Sequence, residues 1–225
     1  MYKYLLFDLD GTLTDSQEGI TKSVSYALIN LGADDLPHDT LLRFIGPPLK
    51  DSFPRYCGFD DKMTEKAIAL YRERYSKVGK FENRPYEGIP ELLKELKDAG
   101  KVLFIASSKP TGFVEEILEK FNIKDYFDYI CAADMSGKKC EKEDVIKEAL
   151  DILTDGFKGD EGFKKDVVMI GDTHYDIDGA NYFKLDSIGV NYGFAQDKNE
   201  LKEAGATYVV NTVEELRTLL LKTLG

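Results

Sequence analysis

The chain has 225 residues, 43% of them hydrophobic, which suffices for one large domain or for one domain carrying a smaller insert. Its formal charge of −11 argues against a nucleic-acid or anionic-membrane partner, whose binding leans on basic patches. A small anionic ligand is not excluded, because a few local cations or a metal reverse the field inside a cleft. Three widely spaced cysteines, Cys57, Cys131 and Cys140, form no metal-site pattern and predict reduced thiols in a cytoplasmic protein. The apolar start is confined to Tyr4–Phe7, so no signal peptide is expected, and no run approaches membrane-spanning length.

Tyr4-Leu-Leu-Phe7 has the character of a buried parallel strand, and it ends in Asp8-Leu-Asp-Gly-Thr12. Two carboxylates, Asp8 and Asp10, therefore stand at a strand's carboxyl edge, where open α/β sheets bind ligands. Gly11 permits a sharp turn, and Ser16 is positioned to cap the helix that follows. A calcium loop is excluded, because the twelfth position counted from Asp8 is Gly19 instead of a bidentate Glu.

Ile20, Val24, Ala27, Leu28 and Leu31 mark one face of a helix ending near Gly32. A short helix is expected over Asp39–Ile45, broken by Gly46-Pro47-Pro48, with helix resuming from Leu49 to Tyr56. Met63, Ala67, Leu70, Tyr71 and Val78 give another long amphipathic helix, with Arg72 and Arg74 expected on its solvated face. Residues 16–82 thus contain helices and no convincing strand, which predicts an inserted helical subdomain between core segments 1–15 and 83–225.

From Glu87 onward strands and helices alternate. A helix closed by Gly100 precedes the strand Lys101–Ala106, which ends in Ser107-Ser108-Lys109. A helix marked by Phe113, Ile117, Leu118 and Phe121 leads to a strand at Tyr129–Ala132, followed by a helix marked by Val145 to Leu153. The stretch Asp155–Lys165 reads as a surface loop. Strand Asp166–Ile170 ends in Gly171-Asp172 before a helix over Tyr175–Phe183, and strands at Ser187–Val190 and Tyr208–Val210 with helix Val213–Leu221 complete the chain. The pattern is that of a doubly wound parallel α/β domain.

Four polar clusters fall at predicted strand ends: Asp8 with Asp10, Ser107-Ser108-Lys109, a lysine group from Lys138 to Lys142, and Asp172 with Asp176. They supply a nucleophilic carboxylate, a second acid or base, hydroxyl donors, a cation and metal-binding carboxylates. That inventory suits phosphoryl transfer, which requires neutralisation of the phosphoryl oxygens and gains from an aspartyl-phosphate intermediate. His174 falls inside the last cluster and is expected to be an exposed position.

Asp8-Leu-Asp-Gly-Thr12, Ser107, a lysine near 142 and Gly171-Asp-Thr-His-Tyr-Asp176 resemble, in order, the four motifs of the haloacid dehalogenase superfamily. The helical insert resembles the C1 cap of its phosphoglycolate phosphatase and β-phosphoglucomutase branch. The stretch Phe44–Phe53 resembles members described as phosphoglycolate phosphatases or 5′-nucleotidases. The resemblance implies a Rossmann-like core with Asp8 as nucleophile and Asp10 as general acid/base. It also implies that Gly11, Thr12, Ser107, Ser108 and Lys142 hold the phosphoryl group, with Lys138 and Lys139 as rivals of Lys142. Asp172 would bind Mg²⁺ with Asp8 and the Asp10 main-chain carbonyl, and Asp176 would serve as ligand or anchor. Lys50, beside Gly46-Pro47-Pro48, is a candidate for substrate contact. The expected partner is a small phosphorylated metabolite, with monomer and dimer both open. The rivals are a phosphosugar mutase, a halide-displacing enzyme, against which Asp10 and the metal carboxylates speak, and a phospho-accepting signalling switch.

Overall fold

In the computed structural model, residues 2–135, 139, 141–156, 161–197 and 199–221 are described. The chain enters the sheet at β1 (Tyr4–Phe7), turns through the two-residue strand β2 (Thr14–Asp15), and leaves for α1 (Gln17–Asn30), α2 (His38–Leu42), α3 (Leu49–Cys57) and α4 (Asp61–Lys77). It returns through β3 (Arg84–Pro85), and then alternates: α5 (Ile89–Asp98), β4 (Val102–Pro110), α6 (Thr111–Lys120), β5 (Tyr129–Ala133) and α7 (Lys142–Gly156). β6 (Val167–Gly171), α8 (His174–Tyr182), β7 (Asp186–Val190), α9 (Glu200–Glu203), β8 (Tyr208–Val210) and α10 (Val213–Leu221) follow.

Six strands form one parallel sheet in the order β5-β4-β1-β6-β7-β8, so the winding reverses at β1. The period-two alternation of strand side chains divides the core into two layers. Leu5, Phe7, Leu103, Ile105, Val168 and Ile170 pack against α5, α6 and α10 on one face. Tyr4, Leu6, Phe104, Ala106, Val167 and Met169 pack against α7 and α8 on the other. The four helices α1–α4 enclose an apolar cluster of their own, from Ile20 and Val24 through Phe53 to Tyr71 and Tyr75, joined by Phe113 of α6.

Several local expectations are corrected. Ser16 precedes α1, but with ψ near 7° it lies outside the extended cap geometry, and its side chain makes no capping bond. β2 and β3 pair antiparallel where the helical segment leaves and rejoins the sheet domain. β4 continues past Ala106 to Pro110, with a register shift against β5 between Ser107 and Pro110. The expected loop Asp155–Lys165 is occupied at its ends by the last turn of α7 and a 3₁₀ turn over Glu161–Asp166, and its residues 157–160 lie outside the described residues.

Arg74 does not lie on a solvated face. Its guanidinium donates to both oxygens of Glu82, at 2.7 and 3.0 Å, and to Ser23 Oγ of α1 at 3.2 Å. It thereby ties α4 and α1 to the segment that returns toward β3. These hydrogen bonds hold the Glu82 carboxyl below the usual carboxylate range. A depressed carboxyl contributes stability above its unfolded pKa, near 4.3, and loses it as pH falls through the folded value. Glu82→Gln should therefore destabilise the protein by about 1 kcal/mol at neutral pH. Thermal melting of both proteins should show that difference shrinking on acidification below about pH 4.5, and a difference independent of pH would assign the effect to packing.

Candidate active site

The site forms where β1, β4 and β6 end side by side. The Asp8 amide still donates to Ile170 O at 2.9 Å, which fixes Asp8 as the last residue in register with the sheet. The chain then turns at Gly11 (φ +85°), whose N–H bonds Thr14 O at 2.8 Å. A Cβ on Gly11 would lie 2.0 Å from Asp172 Oδ2, so only glycine lets the turn approach that carboxylate.

Asp8, Asp172 and Asp176 bring carboxylate oxygens within 4.8 Å of one another, all buried. Lys142, at the start of α7, reaches into this group: its Nζ lies 2.9 Å from Asp8 Oδ1 and 2.7 Å from Asp176 Oδ1, and donates to Ala106 O at 2.9 Å. Asp176 Oδ2 accepts from the amides of Asp172 and Thr173, each at 3.1 Å, and from the Thr173 hydroxyl at 3.2 Å. Asp176 thus completes the capping box of α8 while anchoring the strand-end turn. Asp172 Oδ2 accepts from the Phe194 amide at 2.7 Å, and Thr12 Oγ1 donates to Asp172 Oδ1 at 3.4 Å.

Burial first, and the crowding of like charges second, shift the protonation of the group upward. Burial pushes the Asp8 carboxyl up to about 6; Lys142 opposes the rise, and Asp176 and Asp10 add to it. Burial also raises Asp172 well above the carboxylate range, reinforced by Asp176 and Asp8. For Lys142 burial alone would favour the neutral amine, but Asp176 and Asp8 outweigh it and its pKa rises.

Asp10 is separate from this cluster. Its Oδ2 accepts from Lys109 Nζ at 2.5 Å, and both groups face a cavity of about 430 Å³. Asp8, Ser107, Ser108, Lys142 and Asp176 also line that cavity, and the helical layer contributes Phe44, Pro47, Lys50, Tyr71, Arg72 and Tyr75. Ser107 Oγ accepts from the Lys109 amide at 3.4 Å. Gly11 and Thr12 sit beside Asp172, off the cavity wall. Lys50 lies at the cavity, 2.9 Å from Glu141 Oε1 across the two parts of the chain. Lys139 pairs instead with Glu148, and Lys138 lies outside the described residues. His174 is half-buried, its ring and its amide both 2.9 Å from Glu200 Oε1, so its imidazole is engaged away from the carboxylates.

Sequence reasoning missed the Lys109–Asp10 pair, the wall formed by Tyr71, Arg72 and Tyr75, and the Gly193-Phe194 turn. Lys109 was visible as part of Ser107-Ser108-Lys109. The Phe194 amide carries no side-chain signal at all.

A family profile for haloacid dehalogenase-like hydrolases matches residues 5–190. A 5′-nucleotidase of Pseudomonas aeruginosa is 40% identical over 97% of this chain and 96% of its own. Tyrosine-protein kinase PtkA of Mycobacterium tuberculosis is 34% identical over 96% and 72%. A phosphoglycolate phosphatase of Aquifex aeolicus is 31% identical over 78% of each chain. Among solved structures, a predicted phosphatase from Clostridium acetobutylicum is 47% identical with a TM-score of 0.89, over 99% of this chain and all of that one. The chain belongs to the haloacid dehalogenase-like hydrolase family. Within it, the chain is an enzyme of the phosphatase kind.

The Gly193 turn gives a direct test of Asp172. A Cβ there would fall 2.3 Å from Asp172 Cβ and 2.4 Å from Gly11 O, so Gly193→Ala must displace the carboxylate or the turn. Loss of such a supporting contact should lower phosphatase turnover about 10- to 100-fold. A phosphatase assay of both proteins checks this, and a wild-type rate would show that Asp172 needs no fixed position.

Proposed function

We propose that this protein hydrolyses a small phosphate monoester, phosphoglycolate-like or a nucleoside 5′-monophosphate, through an aspartyl-phosphate on Asp8, with Mg²⁺ as cofactor. The observation that carries the reading is the position of Asp8. Its carboxylate borders the cavity, touches Lys142 and belongs to the acidic trio found among the described residues; Asp176 shares these contacts, but its Oδ2 is committed to the Asp172 and Thr173 amides at the start of α8.

The donor set fits a hard divalent cation. All three groups offer carboxylate oxygen, the ligand type Mg²⁺ prefers, and none offers sulfur or imidazole. If all four were ionised, the motif carboxylates Asp8, Asp10, Asp172 and Asp176 would face two buried lysines, Lys109 and Lys142, an excess of two negative charges that a bound divalent cation would neutralise. Asp8 and Asp172 would hold the ion with the Asp10 main-chain carbonyl, and Asp176, already saturated at Oδ2, would serve as ligand or anchor. When bound, Mg²⁺ supplies positive charge to the phosphoryl oxygens.

The Asp8 carboxylate attacks phosphorus, forming a P–O bond as the ester P–O bond breaks. Asp10 gives its proton to the departing oxygen and then, as carboxylate, takes a proton from the water that releases phosphate from Asp8. Lys142 keeps Asp8 ionised for attack and, with Ser107 and Ser108 on the cavity wall, holds the phosphoryl group. Residues 16–82 would act as a cap over a core formed by residues 1–15 and 83–225, admitting substrate when open and excluding water when seated. Lys50 would meet the substrate from the cap. A cytoplasmic location accords with the free thiols of Cys57 and Cys131.

The test is Mg²⁺-dependent phosphate release over phosphoglycolate, nucleoside 5′-monophosphates and hexose phosphates, with wild type beside Asp8→Asn. Release by the wild type should fall at least ~10⁴-fold in Asp8→Asn, with an unchanged circular dichroism spectrum. Undiminished release by Asp8→Asn would overturn the mechanism, and failure of the wild type on every ester would overturn the substrate class.

A further inference from the structure

Lys109 is a buried cation whose setting goes beyond packing. It lies at the end of β4, and its Nζ is placed between the Asp10 carboxylate, 2.5 Å away, and the face of the Tyr75 ring, 4.8 Å from the centroid. Tyr75 itself is fixed: it stacks on Tyr71 at 5.2 Å and meets Phe113 edge-on at 5.3 Å. The ammonium is thus confined on one side by an anion and on another by a ring face that attracts cations. The two oxygens of Asp10 are consequently unlike. Oδ2 is taken by Lys109, whereas Oδ1 is buried with no hydrogen-bond partner among the described residues.

A buried ion pair is weak grounds for stability, because desolvating both charges offsets their attraction. What this pair fixes is direction. We propose that Lys109 is a positioning residue for Asp10: by occupying Oδ2 and holding the carboxyl away from the Asp8–Asp172–Asp176 cluster, it leaves Oδ1 as the oxygen that exchanges a proton with the leaving group. This rests on the assignment of Asp10 as acid/base. The bonds made and broken are those of the first half-reaction: phosphorus bonds to Asp8, the ester P–O bond breaks, and a proton that Asp10 Oδ1 has taken up from solvent before attack passes to the departing oxygen, which returns Asp10 to the carboxylate paired with Lys109. Without the ammonium the carboxyl is free to rotate, and the donor loses its alignment with the ester oxygen.

The experiment is rapid-quench measurement of phosphoenzyme formation with two esters, p-nitrophenyl phosphate, whose leaving group departs without a proton, and an alkyl phosphate, whose leaving group needs one. Lys109→Met should slow the alkyl ester about 100-fold and p-nitrophenyl phosphate less than about 5-fold. Asp10→Asn should show the same asymmetry, the double variant should be no slower than Asp10→Asn alone, and Lys109→Arg should recover most of the alkyl rate. Equal slowing of both esters by Lys109→Met, beside an intact asymmetry in Asp10→Asn, would overturn the proposal and leave the acid/base assignment standing. Absence of asymmetry in Asp10→Asn would remove that assignment and the proposal with it. If Lys109→Met melts below the assay temperature, Lys109→Gln carries the same comparison.

Discussion

The structure is organised around the burial of like charges. Asp8, Asp172 and Asp176 place carboxylate oxygens within 4.8 Å of one another in the interior, where each pair, if both members are ionised, costs about 3.5 kcal/mol or more at an effective dielectric constant near 20. Such a cluster persists only where opposing charge and dipoles are fixed beforehand. Lys142 supplies the charge, and the amides of Asp172, Thr173 and Phe194 supply the dipoles. Lys142, the Asp172–Thr173 turn and Phe194 come from three different parts of the chain, so the site closes only when the sheet, α7, α8 and the Phe194 turn are all in place.

The sheet order explains how these parts meet. Because winding reverses at β1, its neighbours β4 and β6 come from later segments, and three strand ends separated by many residues become adjacent. Asp8 is delivered by β1, Ser107 and Lys109 by β4, and Asp172 by the residue that follows β6. α7 contributes Lys142 from the opposite layer, packing through Val145 and Ile146 into the core beneath. The helical layer is seated on this edge through Phe113 and Tyr75, which makes the cavity wall continuous with the apolar cluster of α1–α4.

Much of this was legible because it is periodic. Strands buried on both faces read as apolar runs, and α1, α4, α5 and α7 show their buried faces at helical spacing. What escaped lacks a period. β2 and β3 are two residues long, and β3 contains Pro85, so no pattern can announce them. α9 is a single turn, with Leu201 alone buried. Arg74 looks like any charge on a helix surface until Glu82, eight residues on, folds back to meet it. The acidic trio and Lys142 were legible because they lie in motifs at strand ends, whereas the Lys109–Asp10 pair spans 99 positions and depends on two strands being neighbours. Ser16 failed as a cap because its backbone angles, not its residue type, decide whether Oγ faces the first-turn amides.

The two lysines also bear on how an acidic protein would attract an anionic substrate. With a formal charge of −11, the chain has no long-range field that draws phosphate toward it. Among the described residues four cations line the cavity: Lys142 is engaged with Asp8 and Asp176, Lys109 with Asp10 and Lys50 with Glu141, and Arg72 reaches it from α4. Under the proposed mechanism the attraction would therefore come from short-range groups: Arg72 and Lys50 on the helical wall, the hydroxyls at the end of β4 and the divalent ion that the carboxylates would hold. Engagement of the two buried lysines, Lys109 and Lys142, then has a further consequence. Neither cation has to be recruited when the substrate arrives, so their charges are in place before any bond to phosphorus begins to change, which is the condition under which electrostatic stabilisation is greatest.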